Sequence, residues 1–319
     1  MIKKECFTAE WIEQVSSELH YNDKNLIEKV IRALSLLEML VKAGCPLVFK
    51  GGTALMLILG KSAHRLSIDI DLICPPGTNI EDYLKSFADF GFINLELVER
   101  KQRDDADIPK SHSKFFYQIA YRNDTDAQSY ILLDVLYEDI HYFRTQQIAI
   151  NCPFIRLEGK PLMVTVPSAE DILGDKLTAF APNTTGIPYY KNGRSCSMEI
   201  AKQLYDVGRL FENVSDLQIT KEAFRKIAVV ELSYRSFGTD IGQVFNDIRQ
   251  TALCISTRGK AGEGDFDLIQ DGIIRVKSFM YKQRYLIDHA IIDAARAAYL
   301  ATLIEKGINE IESYSNNPA

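Results

Sequence analysis

The apolar run PLVFK ends on two consecutive glycines, Gly51 and Gly52, and the residues that follow, TALMLIL, have helical texture. Strand formers halted by a diglycine and followed at once by a helix describe a strand-to-helix turn, with Thr53 placed to cap a helix running to about Leu59. Next comes LSIDIDLIC, Leu66 to Cys74, in which polar and apolar residues alternate with the two-residue period of a strand. That period sets Asp69 and Asp71 on one face and Ile68, Ile70 and Leu72 on the other. Strand, glycine turn, helix and acidic strand, in that order, is the arrangement around which the rest of the chain has to be built.

Upstream, Leu26, Ile27, Val30, Ile31, Leu34, Leu37, Leu40 and Val41 recur at helical spacing between Asn22 and Gly44, and Gly44 with Pro46 supplies the stop. Downstream, Pro75-Pro76-Gly77 ends the acidic strand. A helix is expected around Ile80 to Phe90, then strands at Ile93 to Glu99, Lys114 to Tyr121 and Tyr130 to Glu138, the last two joined as a hairpin by RNDTDAQS. Further strands fit Gln147 to Cys152 and Leu162 to Val166. The texture then changes. Ser168 to Asp171 reads as a capping box opening a helix to about Phe180, Ser197 to Phe211 is a second helical pattern, and Ala181 to Ser195 is a loop or hinge between them. Beyond Leu217 the pattern is helical, with helices expected near 220–235, 240–253 and from about 279 to 307, the last packing Ile287, Ala290, Ile291, Ala294, Ala298 and Ala301 along one stripe.

These elements predict an α+β chain: a mixed sheet with flanking helices in residues 1–167, then a helical domain in residues 168–319. A length of 319 residues suits two cores better than one. A hydrophobic fraction of 46% with 25% charged residues is that of a globular protein with no extended low-complexity tract. The net charge of −6 argues against a molecule coated in basic surface. Six cysteines lie at positions 6, 45, 74, 152, 196 and 254 without a CxxC pair or zinc-like cluster, which fits reduced thiols and a cytoplasmic location. The opening MIKKECFTAEWIEQVSS lacks the apolar core of a signal peptide, and nowhere do about 18 apolar residues run uninterrupted, so no membrane association is expected.

Transfer of phosphoryl or nucleotidyl groups needs magnesium ions bridging triphosphate oxygens, and converging carboxylates to hold them. Alternate residues of one strand project together, so Asp69 and Asp71 supply such a pair. Their mutual repulsion is relieved by a cation or by solvent. On its own the D-x-D pattern also fits an exposed edge strand whose acidic face meets water. Gly51 and Gly52 add a second element, because glycines let backbone approach a triphosphate and the N–H groups of a helix start form an anion site. Arg65 and Ser67 precede the acidic pair and are second-rank candidates to meet the triphosphate or the turn backbone, Arg65 alternatively pairing with a nearby acid. His64, His112 and His141 lack partners at ligand spacing and read as surface or packed histidines. The charged stretch from Arg100 to Lys114 points to no role.

With FKGGTALML from Phe49 to Leu57, RLSIDIDL from Arg65 to Leu72, EDILGDKLTAF containing Lys176, and AKQLYDVGRL containing Asp206, the chain resembles the AbiEii/AbiGii-type nucleotidyltransferase toxins of the polymerase-beta superfamily. The resemblance runs at least from Phe49 to Leu210. It implies that Gly51, Gly52 and Thr53 hold nucleotide phosphates and that Asp69 and Asp71 bind Mg2+. It also implies a third acidic residue from a later strand. Asp134 in YILLDVLYE occupies a suitable place, as a third metal ligand or a base for the attacking hydroxyl, or else as an outward-facing residue of a half-buried strand. Lys176 is implied to reach the phosphates, or else is a surface lysine beside Asp175; Asp206 is implied to orient Lys176 or a base, or else is a solvated helix acid; and the helical domain is implied to complete the nucleotide and acceptor site.

The activity implied is transfer of NMP from an NTP to an RNA acceptor, above all the 3′ end of tRNA, by a toxin encoded with a cognate antitoxin that need not form a stable complex with it. One alternative is the same chemistry on a small molecule or a protein side chain, which the acidic net charge favours, whereas basic residues at Lys191, Arg194, Lys202 and Arg209 would favour RNA. Another is a nucleotide-binding module without turnover.

Overall fold

The computed structural model describes residues 1–98, 110–121, 127–214, 216–234 and 240–311. They form two compact units: Met1–Ile140 with Arg144–Pro167 and Lys277–Arg284, and His141–Phe143 with Ser168–Val276 and Tyr285–Ala319.

In the first unit, Thr8 caps α1 (Ala9–Glu18) and Asp23 caps α2 (Lys24–Lys42), each side chain accepting a backbone N–H of the first turn. Gly44, at φ +75°, ends the α2 segment as the sequence predicts. Strand β1 (Val48–Lys50) leads directly into α3 (Gly51–Leu59), and β2 is Ile70–Cys74. The helix expected over 80–90 is instead two separate 3-10 turns, Ile80–Tyr83 and Phe87–Phe90. Side chains of α2 take the backbone acceptors there: Ser35 Oγ donates to the Phe90 carbonyl (3.1 Å) and Arg32 to that of Gly91 (3.1 Å). Gly91 is left-handed and ends the second turn, and the two turns bury Ile80, Leu84 and Phe90.

Strands β3 (Asn94–Val98), β4 (Lys110–Gln118) and β5 (Gln128–Tyr137) complete a five-stranded sheet in the order β1-β2-β5-β4-β3. β2 and β5 run parallel and the other neighbours antiparallel, so the sheet is mixed. Residues 122–126 of the expected hairpin and residues 100–109 of the charged stretch lie outside the described residues. One face of the sheet buries Ile70, Leu72, Ile131, Leu133 and Val135 in a core shared with Ile27, Leu34 and Leu37 of α2. β6 (Thr145–Ala149) and β7 (Met163–Pro167) form a separate antiparallel pair.

The segment Lys277–Arg284 belongs to this first unit; Lys277–Phe279 is a 3-10 turn, and residues 280–286, where the long helix was expected to be under way, are not helical. Met280 bridges Arg65, Leu66 N donates to the Phe279 carbonyl (2.8 Å), and Tyr281 N donates to that of His64 (3.1 Å). Backbone pairing with residues 64–66 uses the groups a helix would need for itself, so the helix starts later.

The second unit holds α4 (Ala169–Ala179), a small hairpin of β8 (Tyr190–Lys191) and β9 (Arg194–Ser195), then α5 (Ser197–Phe211), α6 (Leu217–Tyr234), α7 (Ile241–Ser256), α8 (Phe266–Val276) and α9 (Ile287–Lys306). The hairpin falls inside the expected 181–195 loop, and α8 falls where no separate helix was expected. Ser168 caps α4 by accepting from Asp171 N (3.1 Å) and donating to Asp171 Oδ2 (2.8 Å). Asp171 Oδ1 then accepts from Phe143 N (2.7 Å), tying residues 141–143 to this unit. On α9 the buried stripe contains Ala290, Ala294 and Ala301 but turns to take in Asp293 and Ala297, leaving Ala298 half-buried. Asp247 of α7 is also buried; it accepts from Asn183 N (2.9 Å), Asn183 Nδ2 (2.8 Å), Thr184 Oγ1 (2.8 Å) and Thr251 Oγ1 (3.3 Å), pinning the loop after α4. Among the described residues no helix is long and apolar enough to cross a membrane, and all six cysteines are free thiols.

Candidate active site

Gly51 is the first residue of α3 and takes φ +80°, a conformation that carries little strain only for glycine. The helix cap is Lys50, not Thr53, and Lys50 provides no side-chain cap. Thr53 is instead buried within the helix, where its Oγ1 donates to the carbonyl of Asp69 (2.7 Å), linking the turn to the acidic segment. The two glycines also have no room for a side chain. A Cβ at Gly51 would stand 2.9 Å from Asp71 Cγ and nearer still to Oδ2, and one at Gly52 would stand 2.6 Å from Ser67 Oγ and 2.9 Å from an Arg65 guanidinium nitrogen. The diglycine turn is therefore where Asp71, Ser67 and Arg65 meet the start of α3.

Arg65 is buried, and its Nη1 donates to the Leu66 carbonyl (3.0 Å) while its backbone pairs with Met280. Asp69 precedes β2 rather than lying in it, so the expected single strand carrying both acids is shorter than the alternation suggests. The pairing with β1 covers only Lys50 to Val48 against Asp71 to Ile73, and residues 65–66 pair with 279–280 instead. Both aspartates are half-buried.

Register brings further groups to the face of the sheet that carries Asp71. Directly opposed residues on neighbouring strands share a face. Lys50 is opposite Asp71, Asp71 is in parallel register with Asp134, and Asp134 is opposite His112. One row of side chains thus crosses β1, β2, β5 and β4 as Lys50, Asp71, Asp134 and His112. Asp134 lies on the opposite face from the buried Leu133 and Val135 and keeps 40% of its side chain exposed. His112 hydrogen-bonds through Nδ1 to Asp134 Oδ1, so it is a packed histidine, one of the two expected readings, but it is not isolated. His64 Nδ1 contacts Gln283 Oε1 (3.0 Å) and belongs to the pairing of residues 64–66 with 279–281. Sequence reasoning missed His112 and Lys50 because only strand register places them beside the acids; polar residues at alternate positions of KSHSK were the one local signal.

Lys176 and Asp206 meet in the second unit. Both are buried; Lys176 Nζ lies 3.2 Å from Asp206 Oδ2 and donates to Gln203 Oε1 (2.9 Å). Of the basic residues expected to favour RNA, Lys191 and Arg194 are exposed on the β8–β9 hairpin. Arg209 is committed to carboxylates: Nη1 is 2.9 Å from Glu212 Oε2 and Nη2 is 3.5 Å from Asp293 Oδ1.

Among the described residues no three His, Cys, Asp or Glu side chains form a ready-made metal cage. Magnesium does not require one, since it is commonly held by one or two carboxylates together with water and substrate phosphates. The hard oxygen donors of Asp69 and Asp71, beside a turn whose missing Cβ leaves room for the Asp71 carboxylate, suit that mode.

Residues 34–290 match the family model of the nucleotidyl transferase AbiEii toxin of type IV toxin–antitoxin systems. The chain belongs to the AbiEii nucleotidyltransferase toxin family. Among solved structures, this AbiEii-family chain is similar to JHP933 from Helicobacter pylori, with 15% identity, coverage of 97% of this chain and 95% of that one, and a TM-score of 0.43. It is also similar to MenT4, a nucleotidyltransferase toxin from Mycobacterium tuberculosis, with 16% identity, coverage of 92% and 89%, and a TM-score of 0.46. No curated protein matches the chain. Membership makes the chain a nucleotidyltransferase toxin, with a nucleotide as substrate and an antitoxin as genetic partner.

Proposed function

We propose that this toxin transfers NMP from an NTP to an RNA acceptor, the 3′ end of tRNA above all, in a magnesium-dependent reaction. The observation that carries the reading is the packing of the Asp71 carboxylate against Gly51 at the start of α3, with Asp134 in register beside it. Bound magnesium would supply charge neutralisation at the triphosphate oxygens. Asp69 and Asp71 would hold it. The N–H groups at the start of α3, where the Lys50 side chain forms no cap, would face phosphate oxygens, with Gly51, Gly52 and Thr53 shaping the turn and Arg65 and Ser67 bracing it. Asp134 would add a third carboxylate ligand to the metal or accept the proton of the attacking hydroxyl. For Lys176, the family pattern EDILGDKLTAF supports a role at the phosphates, and the ion pair with Asp206 would hold its ammonium in place.

The same machinery acting on a small molecule or a protein side chain is the second reading, favoured by the net charge of −6 and by the engagement of Arg209 with Glu212 and Asp293. Purified protein incubated with each labelled NTP, magnesium and total RNA, beside the Asp69→Ala variant, distinguishes them. Label in RNA that Asp69→Ala abolishes supports RNA transfer. Label confined to protein or to small products selects the second reading, and label unaffected by Asp69→Ala overturns the assignment of the site.

A further inference from the structure

We propose that His112 is a positioning residue for Asp134, fixing that carboxylate so that one oxygen is consumed by the histidine and the other is left for the reaction. The inference rests on the reading above in placing Asp134 at the site, but its evidence is separate. His112 lies directly opposite Asp134 in the β4–β5 register, and its Nδ1 bonds Asp134 Oδ1. The two side chains differ in enclosure: His112 is 11% exposed and Asp134 40%. An enclosed donor holding a more open acceptor is the arrangement by which outer groups orient working carboxylates.

The second ring nitrogen supports a role beyond packing. His112 Nε2 is buried and has no hydrogen-bond partner among the described residues. Leaving such a group unpaired costs about 1–3 kcal/mol, so an apolar residue would serve stability better if filling space were the only requirement. The Nδ1 bond is what the histidine contributes. It is directed at the carboxylate that stands in register with Asp71, whose own carboxylate packs on Gly51. A carboxylate held from behind loses rotamer freedom before substrate arrives, which matters most for a group that must meet a hydroxyl or a cation in one geometry.

The test compares the full-length protein with His112→Phe, His112→Asn, Asp134→Asn, Asp69→Ala and the His112→Phe/Asp134→Asn double variant. Phenylalanine keeps the ring but removes the donor, whereas asparagine keeps an N–H at the position of Nδ1. Label transfer at saturating NTP should fall about tenfold or more in His112→Phe, with the KM for NTP changed less than about twofold, and should return most of the way in His112→Asn. The double variant should be no slower than Asp134→Asn alone. A readout independent of turnover is Mn2+ binding, followed by electron paramagnetic resonance with a non-hydrolysable NTP analogue: it should weaken alike in His112→Phe and Asp134→Asn while thermal melting is unchanged. Wild-type transfer and Mn2+ binding in His112→Phe, or a His112→Asn variant as impaired as His112→Phe, overturns the inference. If those outcomes come with an inert Asp69→Ala, the proposed function stands and only the role of His112 falls. Full activity in Asp69→Ala brings down both.

Discussion

The carboxylate of Asp71 fills the space that a side chain on Gly51 would need. One acid of the D-x-D pair and the first glycine of the turn are therefore a single packing unit, although 20 positions separate them in the numbering of the chain.

Gly51→Ala should accordingly fail on two counts, a φ of +80° and a collision with the Asp71 carboxyl. Strain of this kind costs about 1–3 kcal/mol, so urea denaturation should show a loss of that size, with transfer activity lost as Asp71 is displaced. Gly52→Ala meets Ser67 Oγ and Cβ and a guanidinium nitrogen of Arg65, without the left-handed strain of Gly51. It should cost less stability and still impair activity.

Lys176 and Asp206 form a buried ion pair in which each compensates the charge of the other. Removing one partner, as in Lys176→Met or Asp206→Leu, should destabilise by about 3–5 kcal/mol, because the remaining buried charge loses the opposite charge 3.2 Å away. The double variant should recover a large part of that stability without recovering activity. Denaturation midpoints of all four proteins, read as a double-mutant cycle, decide it.

Gly208 on α5 is the contact through which Asp293 of α9 packs: a Cβ there would stand 2.5 Å from Asp293 Oδ2 and nearer to Oδ1 and Cγ. Gly208→Ala should destabilise by about 1–3 kcal/mol through overpacking, and adding Asp293→Ala should return part of that loss. Equal, additive losses in thermal melts would contradict this packing.

Asp247 is buried with four donors and no cation among them, and burial raises its pKa above the usual carboxylate value. A carboxyl whose folded pKa exceeds its unfolded one adds stability that is fully present below the unfolded value and is lost as pH rises through the folded value. The stability advantage of the wild type over Asp247→Asn should therefore shrink as pH increases from about 4, the unfolded aspartate range, toward neutrality. Urea titrations across that interval measure it, and an advantage that grows with pH would reverse the assignment.

Much of the fold was readable because its signals are local. α5 runs from Ser197 to Phe211, as its pattern predicts, and α2 falls within its periodic run, capped by Asp23. The alternation in LSIDIDLIC correctly placed Ile70 and Leu72 in the core. It could not show that residues 65–66 pair with 279–280, which leaves β2 shorter than the pattern. The helix expected from residue 279 starts later for the same reason: residues 279–281 pair with a segment more than 200 positions away. At residues 80–90 two separate 3-10 turns stand where the pattern predicts one helix. Thr53 was placed at the helix start because threonine is a good cap, but the left-handed Gly51 starts the helix earlier and turns the hydroxyl to Asp69.

From its order of residues alone, the chain determined the turn at Gly51-Gly52, the acidic pair Asp69 and Asp71, and the α+β class, since glycine freedom and side-chain periodicity act within a few residues. Tertiary structure alone decided that Asp134 lines up with Asp71, that His112 backs Asp134, and that Asp293 fills the place beside Gly208. Strand register and helix contact depend on how distant surfaces pack, and nothing within any one of these segments specifies its partner.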